Sequence, residues 1–292
     1  KIETQAKIQG SFSSLQADLS LQGQNITWKQ LSDIEFQGEG SWNKGQLSLS
    51  SMEIYLAGGE VTGSGAFHPL NWADGNHANF KWQDLELFSP SFLTDGFPAF
   101  SSKVSGSLEL EWDRLQWDAF KGEVDLNFNS PGSGIQEIKT APELWGSLHA
   151  DLKHRKISLN ITELQTKNER LTGEVDYQDN SLSGDYLFEV EDIYTFGERY
   201  FTNLVHTNVP QLGGKITVSG RIEGGFSDPE ILSFWEGKNI SFFGLSGMEL
   251  QGETSISDES IDIRNFLLNA EEFKVQLSGL YSFARPQAAS ID

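Results

Sequence analysis

Apolar and polar residues alternate along most of this chain. Val104, Gly106, Leu108, Leu110 and Trp112 alternate with Ser105, Ser107, Glu109 and Glu111. Gly122, Val124, Leu126 and Phe128 alternate in the same way with Lys121, Glu123, Asp125 and Asn127. The period of two continues through Ile157, Leu159 and Ile161, and through Leu182, Gly184, Tyr186, Phe188 and Val190. Shorter runs appear at Leu47 and Leu49, at Ile216, Val218, Gly220 and Ile222, and at Ile261 and Ile263. Successive side chains of a strand point to opposite faces, so each run predicts a half-buried strand with one apolar and one wet face. Parallel strands buried under helices would give solid apolar runs instead. Helical signal is confined to Pro90–Leu93, Pro142–Trp145 and Pro229–Trp235, each opening on a proline that suits a first helical turn. Asp74-Gly75, Asp95-Gly96 and Pro131-Gly132 are turn dipeptides, and the glycine pairs 58–59, 213–214 and 224–225 punctuate the strands. The chain is predicted to be all-β and rich in antiparallel pairs.

An internal repeat organises these strands. Asn25-Ile26-Thr27-Trp28 aligns with Asn239-Ile240-Ser241-Phe242, an offset of 214 residues. Without a gap, Leu31, Ile34, Phe36 and Gly38 then meet Leu245, Met248, Leu250 and Gly252. Leu47, Leu49, Met52 and Ile54 meet Ile261, Ile263, Phe266 and Leu268, and Val61, Gly65 and Phe67 meet Val275, Gly279 and Tyr281. The repeat thus spans about 25–67 and 239–281, within a chain predicted to form one elongated repetitive β domain, 1–292. A weaker third start lies at Asn79-Phe80-Lys81-Trp82 and loses register after Leu85. At ~10 to 12 residues per strand and turn the chain would hold roughly 25 strands, and at about 4.8 Å per strand one continuous sheet would run on the order of 100 Å. So few helical turns cannot cover its apolar face. It must fold over on itself, either as a filled sandwich or as an open, curved sheet that keeps an apolar groove.

Composition narrows the partners. The chain has 292 residues, 42 acidic against 21 basic side chains, a formal net charge of -21 and no Cys. The charge argues against nucleic acid, which is bound through clustered Lys and Arg, and against flat docking on anionic lipid headgroups. Lys153, Arg155 and Lys156 form the one compact basic group. Cysteine absence excludes a thiol nucleophile, a Cys-ligated metal and a disulfide framework. No stretch reaches the roughly 20 apolar residues of a membrane helix, and the chain begins with Lys1, as a processed chain or internal fragment would.

Ile222-Glu223-Gly224-Gly225-Phe226-Ser227-Asp228-Pro229-Glu230-Ile231, leading to Gly237-Lys238-Asn239-Ile240, resembles a recurrent element of the AsmA-like superfamily. Its TamB-type members, subunits of the translocation and assembly module, are the most similar. Pro142-Glu143-Leu144-Trp145-Gly146-Ser147-Leu148 resembles a second such element. The resemblance implies a periplasmic β-sheet curled into a taco-like or U-shaped groove, in a protein anchored in the inner membrane of a Gram-negative-type envelope. It further implies passage of phospholipid toward the outer membrane, support of outer-membrane protein assembly, and an Omp85-type barrel partner engaged through regions outside this sequence.

A groove for acyl chains needs a continuous apolar wall, because each CH₂ withdrawn from water contributes about 0.8 kcal/mol. The candidate wall is Leu108, Leu110, Trp112, Val124, Leu126, Phe128, Ile157, Leu159, Ile161, Tyr186, Phe188, Val190, Ile216, Val218 and Ile263. In a closed sandwich the same residues would be ordinary core. The acids opposite them read as a solvated face that keeps an apolar-lined protein soluble and discourages edge pairing.

Enzymatic chemistry and cofactors are not expected. His68, His77, His149, His154 and His206 make no short metal-binding pair, so no metal is expected. Asp176–Asp185 lacks the ligand spacing of a calcium loop, no Gly-x-Ser-x-Gly elbow occurs, and Gly132-Ser133-Gly134 precedes no helix. Glu109 and Glu111 are too ordinary among so many acids to mark a glycosidase pair. Two other readings share the fold. One is a chaperone-like scaffold that takes client strands at a sheet edge. The other is a carbohydrate-binding or adhesin module presenting Trp28, Trp42, Trp72, Trp82, Trp112, Trp117, Trp145 and Trp235.

Overall fold

The computed structural model describes residues 2–9, 16–28, 31–69, 75–88, 100–114, 116–129, 142–200, 212–242, 244–282 and 290–291. It is all-β and antiparallel, as the alternation predicts. Two compact units divide it at Ile157/Ser158. Eighteen strands are present among the described residues, fewer than the 25 expected because several run to 13 or 14 residues.

Unit 1 is a meander of nine strands: β1 (Ile2–Gln9), β2 (Gln16–Trp28), β3 (Leu31–Asn43), β4 (Gln46–Leu56), β5 (Gly59–Phe67), β6 (Asn76–Phe88), β7 (Ser101–Trp112), β8 (Phe120–Asn129) and β9 (Trp145–Lys153). Each strand pairs antiparallel with the next. The strand β10 (Lys156–Gln165) begins at the end of unit 1 and continues into unit 2. Unit 2 continues with β11 (Glu169–Gln178), β12 (Ser181–Val190), the helix α1 (Ile193–Tyr200), β13 (Leu212–Gly225), β14 (Pro229–Phe242), β15 (Leu245–Ile256), β16 (Ser260–Asn269), β17 (Lys274–Ser282) and the two-residue β18 (Ser290–Ile291). From β11 on, it too is a meander of neighbours.

Two of the proline-led segments, 142–145 and 229–235, are not helices. Pro229 opens β14 opposite Gly224, where a missing N–H is tolerated at a strand's first residue. Beyond it Ile231, Ser233 and Trp235 alternate as a strand. Glu143 makes an isolated bridge to Ser101, and β9 starts at Trp145. Pro90–Leu93, Asp95-Gly96 and Pro131-Gly132 lie outside the described residues, as does Asp74 of Asp74-Gly75. Gly213-Gly214 is no turn either: it sits within β13 at a register shift, with Gly214 at φ 115°.

Strand bounds and irregularities recur at the 214-residue offset. Registers shift at Gly23/Ile26 and at Gly237/Ile240, with Asn25 at φ 53° and Asn239 at φ 54°. They shift again at Glu39/Gly40 and Glu253/Thr254, and at Leu49/Met52 and Ile263/Phe266. Upstream, Ile2 faces Gly23 as Ile216 faces Gly237, so β1–β5 and β13–β17 share one register throughout. An extra residue flips side-chain parity, and each bulge here restores the apolar residues to one face.

Candidate apolar binding face

Following the registers across unit 1, apolar residues line up in rows on one face. One row runs Leu19, Gly40, Leu49, Gly65, Ala78, Leu110, Gly122 and Leu152. The next runs Leu21, Gly38, Met52, Gly63, Phe80, Leu108, Val124 and Ala150. From β2 to β5 large residues alternate with glycine across neighbouring strands in both rows. A Cβ added at Gly63 would meet the Phe80 ring at 2.5 Å, and one at Gly106 would meet Trp82 at 2.8 Å. These glycines let aromatic rings lie flat across the adjacent backbone.

The opposite face of unit 1 is polar. Glu109, Glu123 and Asp151 lie directly opposite one another on β7, β8 and β9, an unfavourable row of like charges. His149 Nδ1 lies 2.8 Å from Asp125 and its Nε2 3.4 Å from Asp151, which Lys153 also approaches at 3.1 Å. The hydrogen bond to Asp125 holds the His149 pKa above its usual value, against a smaller opposing effect of burial. The ligating atoms of Glu123, His149 and Asp151 lie within 4.8 Å of one another. Lys153 and the imidazole both contact Asp151. Two surface concavities are lined mainly by polar residues, the first also reaching Leu19 and Gly40 of an apolar row. One of about 550 Å³ is lined by Gln5, Lys7, Asp18 and Glu39, and one of about 690 Å³ by Asp33, Tyr55, Glu60 and Asp84.

The apolar face of unit 1 is half-buried rather than sealed. Leu108, Leu110, Val124, Leu126 and Phe128 all stay partly accessible, and Leu21 is 43% exposed. Trp112 is buried, its ring 5.7 Å from Phe67 and 5.9 Å from Phe120. Beside it the fully buried Asn76 donates to the Trp112 carbonyl at 3.0 Å and accepts from the His68 N–H at 2.6 Å. The Trp112 indole N–H is buried without an acceptor.

Unit 2 has corresponding rows. Leu171, Phe188, Val218, Trp235, Gly252, Phe266 and Leu277 form one, and Val175, Gly184, Ile222, Ile231, Ile256, Ile261 and Tyr281 another. Between them runs a row with hydroxyls: Tyr186 bonds Ser233 at 2.7 Å, and the Trp235 N–H donates to Thr254 at 2.9 Å. Val190, Ile216 and Gly237 continue the face toward α1. There Ile193 packs with Ile240, Met248 and Leu250, and Met248 is only 1% exposed. The Phe196 ring lies 5.7 Å from Phe188. Arg199 Nη1 meets both oxygens of Glu169 at 2.8 Å, on a residue only 6% exposed. The Thr166 hydroxyl also donates to Glu169. Burial pushes the Glu169 carboxyl above its ordinary range, and Arg199 offsets only part of that.

Of the wall residues expected from sequence, Leu108, Leu110, Trp112, Val124, Leu126 and Phe128 share the unit 1 face. Tyr186, Phe188, Val190, Ile216, Val218 and Ile263 share the unit 2 face, Ile263 being opposite Thr254 and Gly279. Leu159 and Ile161 flank Asn160, whose amide donates to Glu174 on the polar face, so they take the other side. Ile157, half-buried, ends unit 1. The same faces also include Phe36, Trp42, Phe80, Trp82, Ile231, Trp235 and Phe266, which the clean alternations did not single out. Four tryptophans, Trp42, Trp82, Trp112 and Trp235, therefore sit on the apolar side. Among the described residues, no helix is long and apolar enough to cross a membrane. No protein-family model, curated protein or solved structure matches this chain.

Proposed function

We propose that the protein is a scaffold that shields lipid acyl chains on its apolar sheet faces. The single observation that carries this is the continuity of the apolar rows of unit 1, whose large side chains Leu108, Leu110, Val124, Leu126 and Phe128 stay partly accessible on an acid-rich strand framework. Ordinary β-sandwiches bury such rows against a second sheet about 10 Å away. A face that remains accessible suits a ligand that slides, and hydrocarbon supplies affinity through area rather than through fixed polar contacts. Together with the resemblance to the AsmA-like superfamily, this favours a periplasmic, bridge-like role in moving phospholipid between inner and outer membranes, with outer-membrane protein assembly as the associated process.

The test is direct. The protein purified without detergent is extracted with organic solvent and the extract analysed by mass spectrometry. Phospholipid is expected in the wild type, and Leu126→Asp or Phe80→Asp should lower its amount severalfold while leaving the circular dichroism spectrum unchanged. A folded wild-type protein that carries no lipid and takes up none from vesicles would overturn the reading.

A further inference from the structure

We propose that Glu123, His149 and Asp151 form a binding site for a divalent transition-metal ion of the Zn²⁺ class, which staples β8 to β9 on the polar face of unit 1. The site lies on the face away from the apolar rows and stands independently of the acyl-chain reading. Its donors come from two paired strands, so histidine spacing along the chain gives no hint of it. Asp151 is directly opposite Glu123, and His149 is directly opposite Asp125. His149 and Asp151 are two apart on β9, which puts both on one side of the strand. The ligating atoms of Glu123, His149 and Asp151 all lie within 4.8 Å of one another. Glu109 on β7 extends the line of carboxylates past Glu123. Like charges in register oppose strand pairing, and among the described residues no basic side chain is in ion-pair contact with Glu109 or Glu123. A single dication held between β8 and β9 relieves this row.

The imidazole distinguishes this set from a run of surface acids. Its Nδ1 is held by Asp125 at 2.8 Å, and its Nε2 faces Asp151 Oδ2 at 3.4 Å. With the Nδ1–H donated to a carboxylate, the lone pair stands on Nε2, the arrangement that orients a metal-bound histidine and raises its basicity. A tetrahedral ion about 2.1 Å from each ligand sets the ligand atoms about 3.4 Å apart. The Nε2 and Oδ2 atoms already have that separation, which is longer than an ordinary N–H···O hydrogen bond. Lys153 approaches Asp151 through Oδ1 at 3.1 Å and leaves Oδ2 to the ion; its side chain is 70% exposed and can swing into solvent. Glu123 is exposed and brings the third ligand by rotation of its own side chain. One nitrogen and two carboxylate oxygens suit Zn²⁺ and its neighbours in the transition series, whereas Mg²⁺ and Ca²⁺ favour oxygen donors. Three protein ligands leave a fourth position for water. Asp125 acts through His149 and is a positioning residue.

The untagged full chain, stripped with a chelator, is titrated with Zn²⁺ against a chromophoric zinc chelator at neutral pH, and the His149 imidazole signals are followed by NMR. One equivalent of Zn²⁺ is expected to bind and to shift those signals. His149→Ala should abolish binding, and Glu123→Gln should weaken it. Asp125→Asn should lower the affinity about tenfold, and Asp125→Glu should recover most of that loss because it restores a carboxylate for Nδ1. His154→Ala, in the turn after β9, should leave the affinity unchanged. These side chains are at least partly accessible, and circular dichroism checks that each variant is folded. No zinc binding by the wild type overturns the site. Binding that survives His149→Ala, or that an equal concentration of Ca²⁺ displaces, marks an ordinary acidic surface and overturns it as well.

Discussion

The strands β1–β5 and β13–β17 are one scaffold written twice, down to the bulges at Asn25 and Asn239. What differs is the surface laid on it. Leu19, Leu21, Ile34 and Gly40 in the first copy are Ser233, Trp235, Met248 and Thr254 in the second. The first copy is plain hydrocarbon and partly open. The second carries two hydrogen-bonded polar pairs, Tyr186 with Ser233 and Trp235 with Thr254, and a helix over one end. Burial in such a sheet is thus set by what covers the face. The strand itself decides only which residues are offered.

Paired substitutions at equivalent positions test this most sharply. Met248→Ala removes a side chain that is 1% exposed, and should cost about 3 kcal/mol in denaturant unfolding. Ile34→Ala, at the matching half-buried position, should cost about 1 kcal/mol. Equal costs would mean that the unit 1 face is covered in solution. A smaller contrast is expected at the glycines. A Cβ at Gly252 would meet the Phe266 ring at 2.4 Å, whereas one at Gly38 meets nothing closer than the Ser51 carbonyl at 3.3 Å. Gly252→Ala should therefore cost about 2 kcal/mol and Gly38→Ala roughly a quarter of that.

The buried carboxyl of Glu169 in unit 2 gives a signed pH effect. The Glu169 carboxyl is raised in the fold, so the folded state binds its proton more readily than the unfolded state does. Global stability should rise as pH falls from neutrality through the raised value, and level off below the ordinary glutamate range. Denaturant unfolding across this pH range reads this, and Glu169→Gln should flatten the profile. Global destabilisation on mild acidification would show that the Arg199 attraction outweighs burial.

The smallest effect belongs to unit 1. His149 is raised, chiefly by its hydrogen bond to Asp125, so its contribution is fully present below the ordinary histidine pKa and lost as pH rises through the raised value. An NMR titration should find the raised value, and Asp125→Asn should return it toward that of a free histidine.

Much of the scaffold was legible because β7, β8 and β12 alternate without a break and place Leu108, Leu126 and Phe188 unambiguously. The alternation fails at bulges. Ala78, Phe80 and Trp82 share a face, but Asp84 at φ 55° resets the parity before Leu85, hiding β6 as part of the same wall. Helices were misplaced for a different reason. Pro229 has the local chemistry of a first helical turn, yet its neighbours' period of two wins once Gly224 pairs across from it. The described α-helix, α1, contains a glycine. Its signals, Asp192 before it, Ile193 and Phe196 three apart, and Arg199 at its end, are each too slight to stand out. The partners of Glu169 and His149 depend on strands brought side by side, which no local pattern records.

Within each unit, every strand pairs with the strand next to it in the chain. Loop closure therefore links near neighbours only, and its entropic cost grows slowly with loop length. An all-β chain wired this way has a low contact order, and should fold faster than sandwiches whose strands pair across long crossovers. Each hairpin can form as soon as its second strand leaves the ribosome, and later strands add to an edge already in register. Growth by addition also means loss by subtraction: amide exchange should spread inward from a terminal strand, one hairpin at a time.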